Sequence, residues 1–335
     1  MKPALAYCSA HGYGPGTRRD GCPVQGEATP SISRLDSVEP MSTPAAVLAV
    51  DIGGTKLAAG VVDRAGALSV RHVVPTPTTA DADELFDTLL GLARAVAGTA
   101  SLVACGVGCG GPMVAGGERV SPLNIRAWRD FPLRARLVAA TGLPTFVDND
   151  AKALALAEGW KGAATGWSNY LAMVVSTGIG AGIVLDGRLL DGEAGNAGHL
   201  GHVIVVPDGR RCECGAYGCL EAEASGTAIA AVTGRPATDA PPEMVARAGK
   251  LVGRAVASAA NLLDLRLAVV AGSVALGFGA PFFAAAQEEL DRSACLAFSA
   301  GARIRPAGLG RDGPLLGAAA VAWRGLARVG PAAQG

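Results

Sequence analysis

Three observations predict an α/β protein built as a duplicated unit. A run of strand, glycine turn and strand occurs twice, short apolar strands alternate with helical segments, and 335 residues exceed what one ordinary core needs. In the first half VLAVDI meets Gly53-Gly54 and continues into TKLAAGVV; in the second YLAMVVS meets Thr177-Gly178-Ile179-Gly180 and continues into AGIVLDG. Placing Asp51 on Ser176 puts Gly53 on Gly178, an offset of 125 residues in both cases. The echo reads as two α/β domains with a cleft between them. We expect an extension over residues 1–44, a smaller domain over 45–148 with 314–330, and a larger one over 149–313.

The elements follow in order. Residues 1–44 hold six Pro and five Gly with no apolar period, which predicts disorder, and Met41 just before the first strand suggests a start there. Ala46 to Ile52, the run from Thr55 and the run ALSVRHVV read as strands punctuated by turns. From Asp81 to Ala97, Leu85, Leu89, Leu92 and Val96 fall on one helical face, with acids in the first turn. SLVACGV is a buried strand, Pro132 and Gly142 bracket a helix, TFVDN is a short strand, and AKALALAEGW is a helix. Later come a helix from Pro242 to Leu263, the strand RLAVVAG, a helix from Pro281 to Arg292 and a last one from Pro314 to Leu326.

Charge excludes one class of partner. With 29 basic and 29 acidic residues there is no basic field for nucleic acid. Half the residues are apolar, yet no run reaches a membrane span, and the N-terminus lacks a signal-peptide pattern. These features point to a cytoplasmic chain without a membrane partner. Three of the eight cysteines fall within eight residues, which favours metal in a reducing compartment.

Four motifs carry chemistry. In Asp51-Ile-Gly-Gly-Thr-Lys56 the adjacent glycines let backbone N–H groups approach an anion, Thr55 adds a hydroxyl, and Asp51 can hold a metal ion through water. A plain hairpin is the alternative. Ser176 to Gly182 is a second polar, glycine-rich turn, and Gly272 with Ser273 makes a third, so facing turns could clamp a nucleotide's phosphates. Gly106 to Gly111 matches G-x-G-x-x-G, but Pro112-Met-Val-Ala-Gly-Gly opens no helix, so a dinucleotide site is disfavoured and a glycine-lined wall beside substrate is expected. At Asp148-Asn149-Asp150 a carboxylate opens a helix; it is either a cap or a general base for a hydroxyl. His202, Cys212, Cys214 and Cys219 have the ligand types of a closed, structural zinc site, with a disulfide or unconnected thiols as alternatives.

Taken together, D-I-G-G-T-K, G-G-P-M, S-P-L-N, D-N-D, S-T-G-I-G-A-G, G-N-A-G-H-L-G-H and C-E-C-G-A-Y-G-C-L-E resemble the ROK (repressor, open reading frame, kinase) family from about Val47 to Val321. The resemblance implies the actin-like, ribonuclease H-like ATPase fold closing on ATP with Mg2+ and a sugar. It implies Asp150 as the base for the sugar 6-hydroxyl, with Asn124, Asn149, His202 and Glu221 on sugar hydroxyls. Gly53, Gly54, Thr55 and Lys56 would face phosphates together with Thr177, Gly178 and Gly180, and Gly272 and Ser273 would lie near adenosine. A glucokinase-type hexose kinase, homodimeric or larger, is the leading expectation; an N-acetylhexosamine kinase and a non-catalytic sugar sensor are the others. One departure concerns H-L-G-H: His199 stands where the family's sugar kinases commonly have Glu. Neutral His offers one donor and one acceptor where ionised Glu only accepts, so a contact from His199 would alter sugar preference. The family's repressors carry a helix-turn-helix, a pattern the N-terminal segment lacks.

Overall fold

The computed structural model describes residues 45–329. The expectations of disorder and of a start at Met41 therefore lie outside the described residues. Strands β1 (Ala46–Ile52), β2 (Lys56–Asp63) and β3 (Leu68–Pro75) form an antiparallel meander. Helix α1 (Ala82–Ala97) crosses to β4 (Leu102–Cys109), and α2 (Leu133–Thr141) crosses to β5 (Thr145–Asn149). The sheet order is β3-β2-β1-β4-β5, with β4 parallel to both β1 and β5.

After α3 (Asp150–Lys161) the plan repeats with β6 (Tyr170–Val175), β7 (Ile179–Leu185) and the two-residue β8 (Arg188–Leu189). Helices α4 (Leu220–Ala224), α5 (Gly226–Thr233) and α6 (Pro242–Leu263) lead to β9 (Leu267–Ala271). Then α7 (Ser273–Phe278) and α8 (Ala280–Ser293) precede β10 (Arg303–Pro306), and α9 (Gly313–Val329) closes the described chain. Read from its far edge, the second sheet runs β8-β7-β6-β9-β10, the same order with the same antiparallel and parallel pairings as the first. The sequence echo is thus a topological repeat.

Local chemistry accounts for the helices the sequence predicts. Asp81 caps α1, accepting from Asp83 N at 2.8 Å, and the buried stripe Leu85, Leu89, Leu92 and Val96 faces the first sheet. Gly142 ends α2 in the left-handed conformation at φ 70°. Short elements escaped the sequence reading. β8 is too short to alternate, α4, α5 and α7 have at most eight residues, and in β10 charged residues flank Ile304 before Pro306 on an edge strand.

Helices α3 and α9 pack on each other and lie among both sheets, α9 against β1, β4 and β5, α3 against β6 and β7. Close approach requires small residues. A β-carbon at Gly106 would lie 1.9 Å from Ala318 O, so this glycine admits α9 onto β4. The chain after β4 continues through a cis Gly111–Pro112 bond into a short 3₁₀ turn at Ala115–Gly117. No helix opens there, as the sequence reading required. Among the described residues no helix is long and apolar enough to cross a membrane.

Candidate active site

Parallel strands deliver their carboxyl ends to one edge, the usual place for a ligand in α/β sheets. Asp51 of β1 is in register with Gly108 of β4, and Gly108 with Asp148 of β5. Asn149 ends β5 and caps α3, its Oδ1 accepting from Ala151 N at 3.0 Å. Asp150 then opens α3, its Oδ1 accepting from the same amide at 2.8 Å. Asn149 and Asp150 thus share the capping role weighed from sequence.

Asp51 and Asp150 flank Gly108. A β-carbon on Gly108 would lie 3.6 Å from Asp51 Oδ1 and 3.7 Å from Asp150 Cα. Asp51 is buried, and burial first, then the neighbouring Asp150 charge, pushes its pKa up to about 7, against the pull of Lys56. Asp150 is exposed to solvent, with protein packed around its carboxyl. That surrounding protein raises its pKa, while the amide bond from Ala151 and nearby His199 oppose the rise.

The second glycine turn reaches the same helix end. A β-carbon on Gly180 would lie 3.1 Å from Ala151 Cβ, one residue past Asp150. Both hairpins therefore bracket the N-terminus of α3. Asn124 lies against the first: a β-carbon on Gly54 would sit 2.6 Å from Asn124 Cβ. Ser273 joins the second, Ser176 Oγ and Ser273 Oγ being 2.8 Å apart, with Gly272 pressed on Val175 at φ 102°. Thr55, Lys56 and Thr177 are exposed at the hairpin tips.

Gly111 lies beside Asn149 and His199. A β-carbon there would meet Asn149 Nδ2 at 3.4 Å and His199 Cε1 at 3.9 Å. His199 and His202 face each other with ring centroids 5.9 Å apart. Burial, then the adjacent His202, pulls the pKa of His199 down, which favours the neutral ring. Glu221 makes a bond to the second hairpin. Its Oε2 accepts from Ile179 N at 2.7 Å, so the side chain braces the second hairpin, and a β-carbon at Gly178 would lie 2.6 Å from that oxygen.

His202, Cys212, Cys214 and Cys219 present ligand atoms within 4.8 Å of one another. Cys214 Sγ and Cys219 Sγ are 3.7 Å apart, and Cys212 Sγ and His202 Nδ1 are 3.6 Å apart. A tetrahedral zinc with Zn–S bonds of ~2.3 Å has S···S edges of about 3.8 Å, so the set fits the ion. All three thiols are free, and 3.7 Å is no disulfide. The segment turns tightly at Gly218, at φ 74°, where a β-carbon would lie 1.7 Å from Val206 O. The Nδ1 of His202 faces Cys212, leaving Nε2 as its other ring nitrogen.

Sequence reasoning missed four participants. Thr76 donates to Gly53 O at 2.6 Å, Thr227 donates to Thr177 O at 2.9 Å, and Lys152 and Asp191 form an ion pair at 3.0 Å. Only Lys152 left a signal, standing four residues after Asp148 on the helix that follows it.

Residues 47–324 match the profile of the ROK family. The chain belongs to the ROK family. Its 250-residue match to the N-acetylmannosamine kinase of Citrobacter koseri is 37% identical and covers 69% of this chain and 84% of that one. The ROK hexokinase structure from Thermus thermophilus is 38% identical at a TM-score of 0.73, covering 83% of this chain and 98% of that one. A ROK glucokinase from Streptomyces griseus, solved with glucose and AMPPNP, is 29% identical at a TM-score of 0.74, covering 85% and 100%. The expected actin-like, two-sheet ROK fold thus holds for this chain.

Proposed function

We propose that this ROK sugar kinase transfers the γ-phosphoryl group of Mg-ATP to the 6-hydroxyl of a hexose in the cytoplasm, with Asp150 as the base. The observation that carries the reading is the bracketing of the α3 N-terminus: Asp51 beside Gly108 on one side, Gly180 against Ala151 on the other, and Asn149, Gly111 and His199 on the third.

Phosphoryl transfer depends mainly on positioning and charge neutralisation. Backbone N–H groups of Gly54 and Thr55 and of Thr177 and Gly178, with the Lys56 ammonium and the close-packed Gly53 and Gly180, form the phosphate loops, and Gly272 with Ser273 lies toward the adenosine. The Asp51 carboxylate is a hard oxygen donor suited to Mg2+ and would hold that ion, which would offset phosphate charge. Asp150 takes the hydroxyl proton at Oδ2, while Oδ1 stays on the amide of Ala151. Its raised pKa makes it a better proton acceptor than a free aspartate. Asn149, Asn124, His202 Nε2 and the remaining oxygen of Glu221 orient the sugar. Zinc on His202, Cys212, Cys214 and Cys219 is structural, because four protein ligands leave no open position.

Glucose is the first substrate to test. N-acetylmannosamine is the second, supported by the likeness to the Citrobacter kinase and by His199 at the sugar wall. A coupled ADP-release assay over glucose, mannose, N-acetylglucosamine and N-acetylmannosamine should give sugar-dependent turnover. Sugar binding without turnover on any of them would instead mark a sensor. Repeating the panel on His199→Glu should reorder the kcat/KM values, and an unchanged order would remove His199 from the sugar contacts.

A further inference from the structure

A closed ring of alternating charges lies beside the reacting carboxylate and serves none of the roles above. Lys152 Nζ sits 2.9 Å from Asp148 Oδ1, and Asp148 Oδ2 accepts from Arg324 Nη1 at 3.2 Å. Arg324 Nη2 donates to Asp191 Oδ2 at 2.7 Å, and Asp191 Oδ1 accepts from Lys152 Nζ at 3.0 Å, closing the circuit. Arg328 adds a further bond to Asp191 Oδ2 at 3.1 Å. The ring forms part of the wall of a cavity of about 390 Å³.

Lys152 is the least accessible member, its side chain 3% exposed. Besides its ion pairs with Asp148 and Asp191, Nζ donates to Gly195 O at 3.0 Å. That third bond matters most. Gly195 and Asp191 belong to the segment that runs directly into His199, and Ala197 N donates back to Asp191 O at 3.0 Å. Lys152 itself stands two residues after Asp150 on α3.

Beyond the ring, the loop is held at its far end by β7, where Ala181 N donates to Gly198 O at 3.1 Å, and few bonds hold the part between. Gly192, Glu193 and Ala194 are exposed, and Gly192, Gly195 and Gly198 all adopt positive φ. Its other side-chain tie is Asn196 Nδ2, which donates to Met113 O at 3.2 Å. A segment poor in apolar contacts takes its order from such polar anchors. Burial alone would raise the pKa of Asp191, yet the Arg324 guanidinium and the Lys152 ammonium hold that carboxyl well below its usual range.

We infer that Lys152 and Asp191 are positioning residues that fix the His199 loop to the helix bearing Asp150, so that sugar wall and base move as one body. The inference rests on the sugar-kinase reading. Truncating one partner of an enclosed pair leaves the other charge unpaired, so the loop should loosen while the hairpins that hold phosphates keep their own bonds.

Steady-state kinetics of Lys152→Met, Asp191→Asn and the double variant, beside wild type, test it. The sugar KM should rise about tenfold or more while the ATP KM stays within about twofold. The double variant should be no worse than Lys152→Met, because both break one circuit. An unchanged sugar KM, or an equal rise in both KM values, would overturn the inference and leave the kinase reading standing. Should Lys152→Met fail to fold, the half-buried Asp191→Asn carries the same test. Should wild type turn over no sugar, the kinase reading falls, and amide exchange over 195–198 decides the loop: faster exchange in the variants supports the anchor, equal exchange rejects it.

Discussion

The two glycine hairpins occupy equivalent places in a repeated topology but are held in opposite ways. The β1–β2 turn is held by its own meander: Gly53 N donates to Lys56 O at 3.0 Å, and Thr76 donates through Oγ1 to Gly53 O at 2.6 Å and through N to Thr55 O at 3.1 Å. The β6–β7 turn is held from far along the chain. Glu221 accepts from Ile179 N at 2.7 Å, Gly226 N donates to Ser176 O at 2.7 Å, and Thr227 and Ser273 bond Thr177 and Ser176. One turn is self-contained, whereas the other is a junction between the cysteine segment, α5 and α7. Identical strand order therefore does not mean identical sensitivity.

Metal removal should break that symmetry most. Chelation of zinc should abolish most turnover and speed amide exchange around 176–180, because Glu221 follows Cys219 by two residues, while residues 53–56 keep their exchange rates. Equal exchange in both turns would remove the junction role. Glu221→Gln comes next, with kcat/KM falling by about 10²-fold through both the sugar and the ATP KM. A change confined to the sugar KM would make Glu221 a sugar ligand and nothing more.

Asp51 sharpens the comparison through pH. Its folded pKa of about 7 lies above the ordinary 3.8, so the folded state holds this proton over a range where the unfolded chain has lost it. The resulting penalty is absent below about pH 4, grows up to about pH 7 and is complete above it. Without nucleotide, Asp51→Asn should therefore stabilise the fold at pH 8, by up to about 4 kcal/mol, and leave it unchanged at pH 4. Denaturant melts at the two pH values check this, and equal shifts at both would contradict it. The smallest effect belongs to the self-contained turn: Thr76→Val should raise the ATP KM only a few-fold, about 1 kcal/mol for one hydrogen bond, with the sugar KM unchanged.

Legibility in the sequence followed length and local chemistry. The hairpins, α1, α3 and α6 were readable because apolar runs and the residues that begin and end them, such as the acids opening α1 and Pro242 opening α6, fall within a single segment. The cysteine cluster was readable because its three thiols lie within one short stretch of chain. Short α4, α5 and α7 and the edge strand β10 were not, since their order comes from packing rather than pattern. In the site, Asn149 and Asp150 are neighbours in one motif and so legible together, whereas the bond from Ile179 to Glu221 spans 42 residues and left no local trace. The Arg324–Asp191 link, across 133 residues, is equally invisible to spacing.

The most direct test is single-turnover transfer from γ-labelled ATP to a saturating sugar by wild type and Asp150→Asn, with nucleotide and sugar binding measured in parallel by calorimetry. The account predicts that the variant keeps both affinities within a few-fold while the transfer rate falls by about 10³-fold or more. A variant that transfers phosphate at nearly the wild-type rate would show that some other group takes the hydroxyl proton.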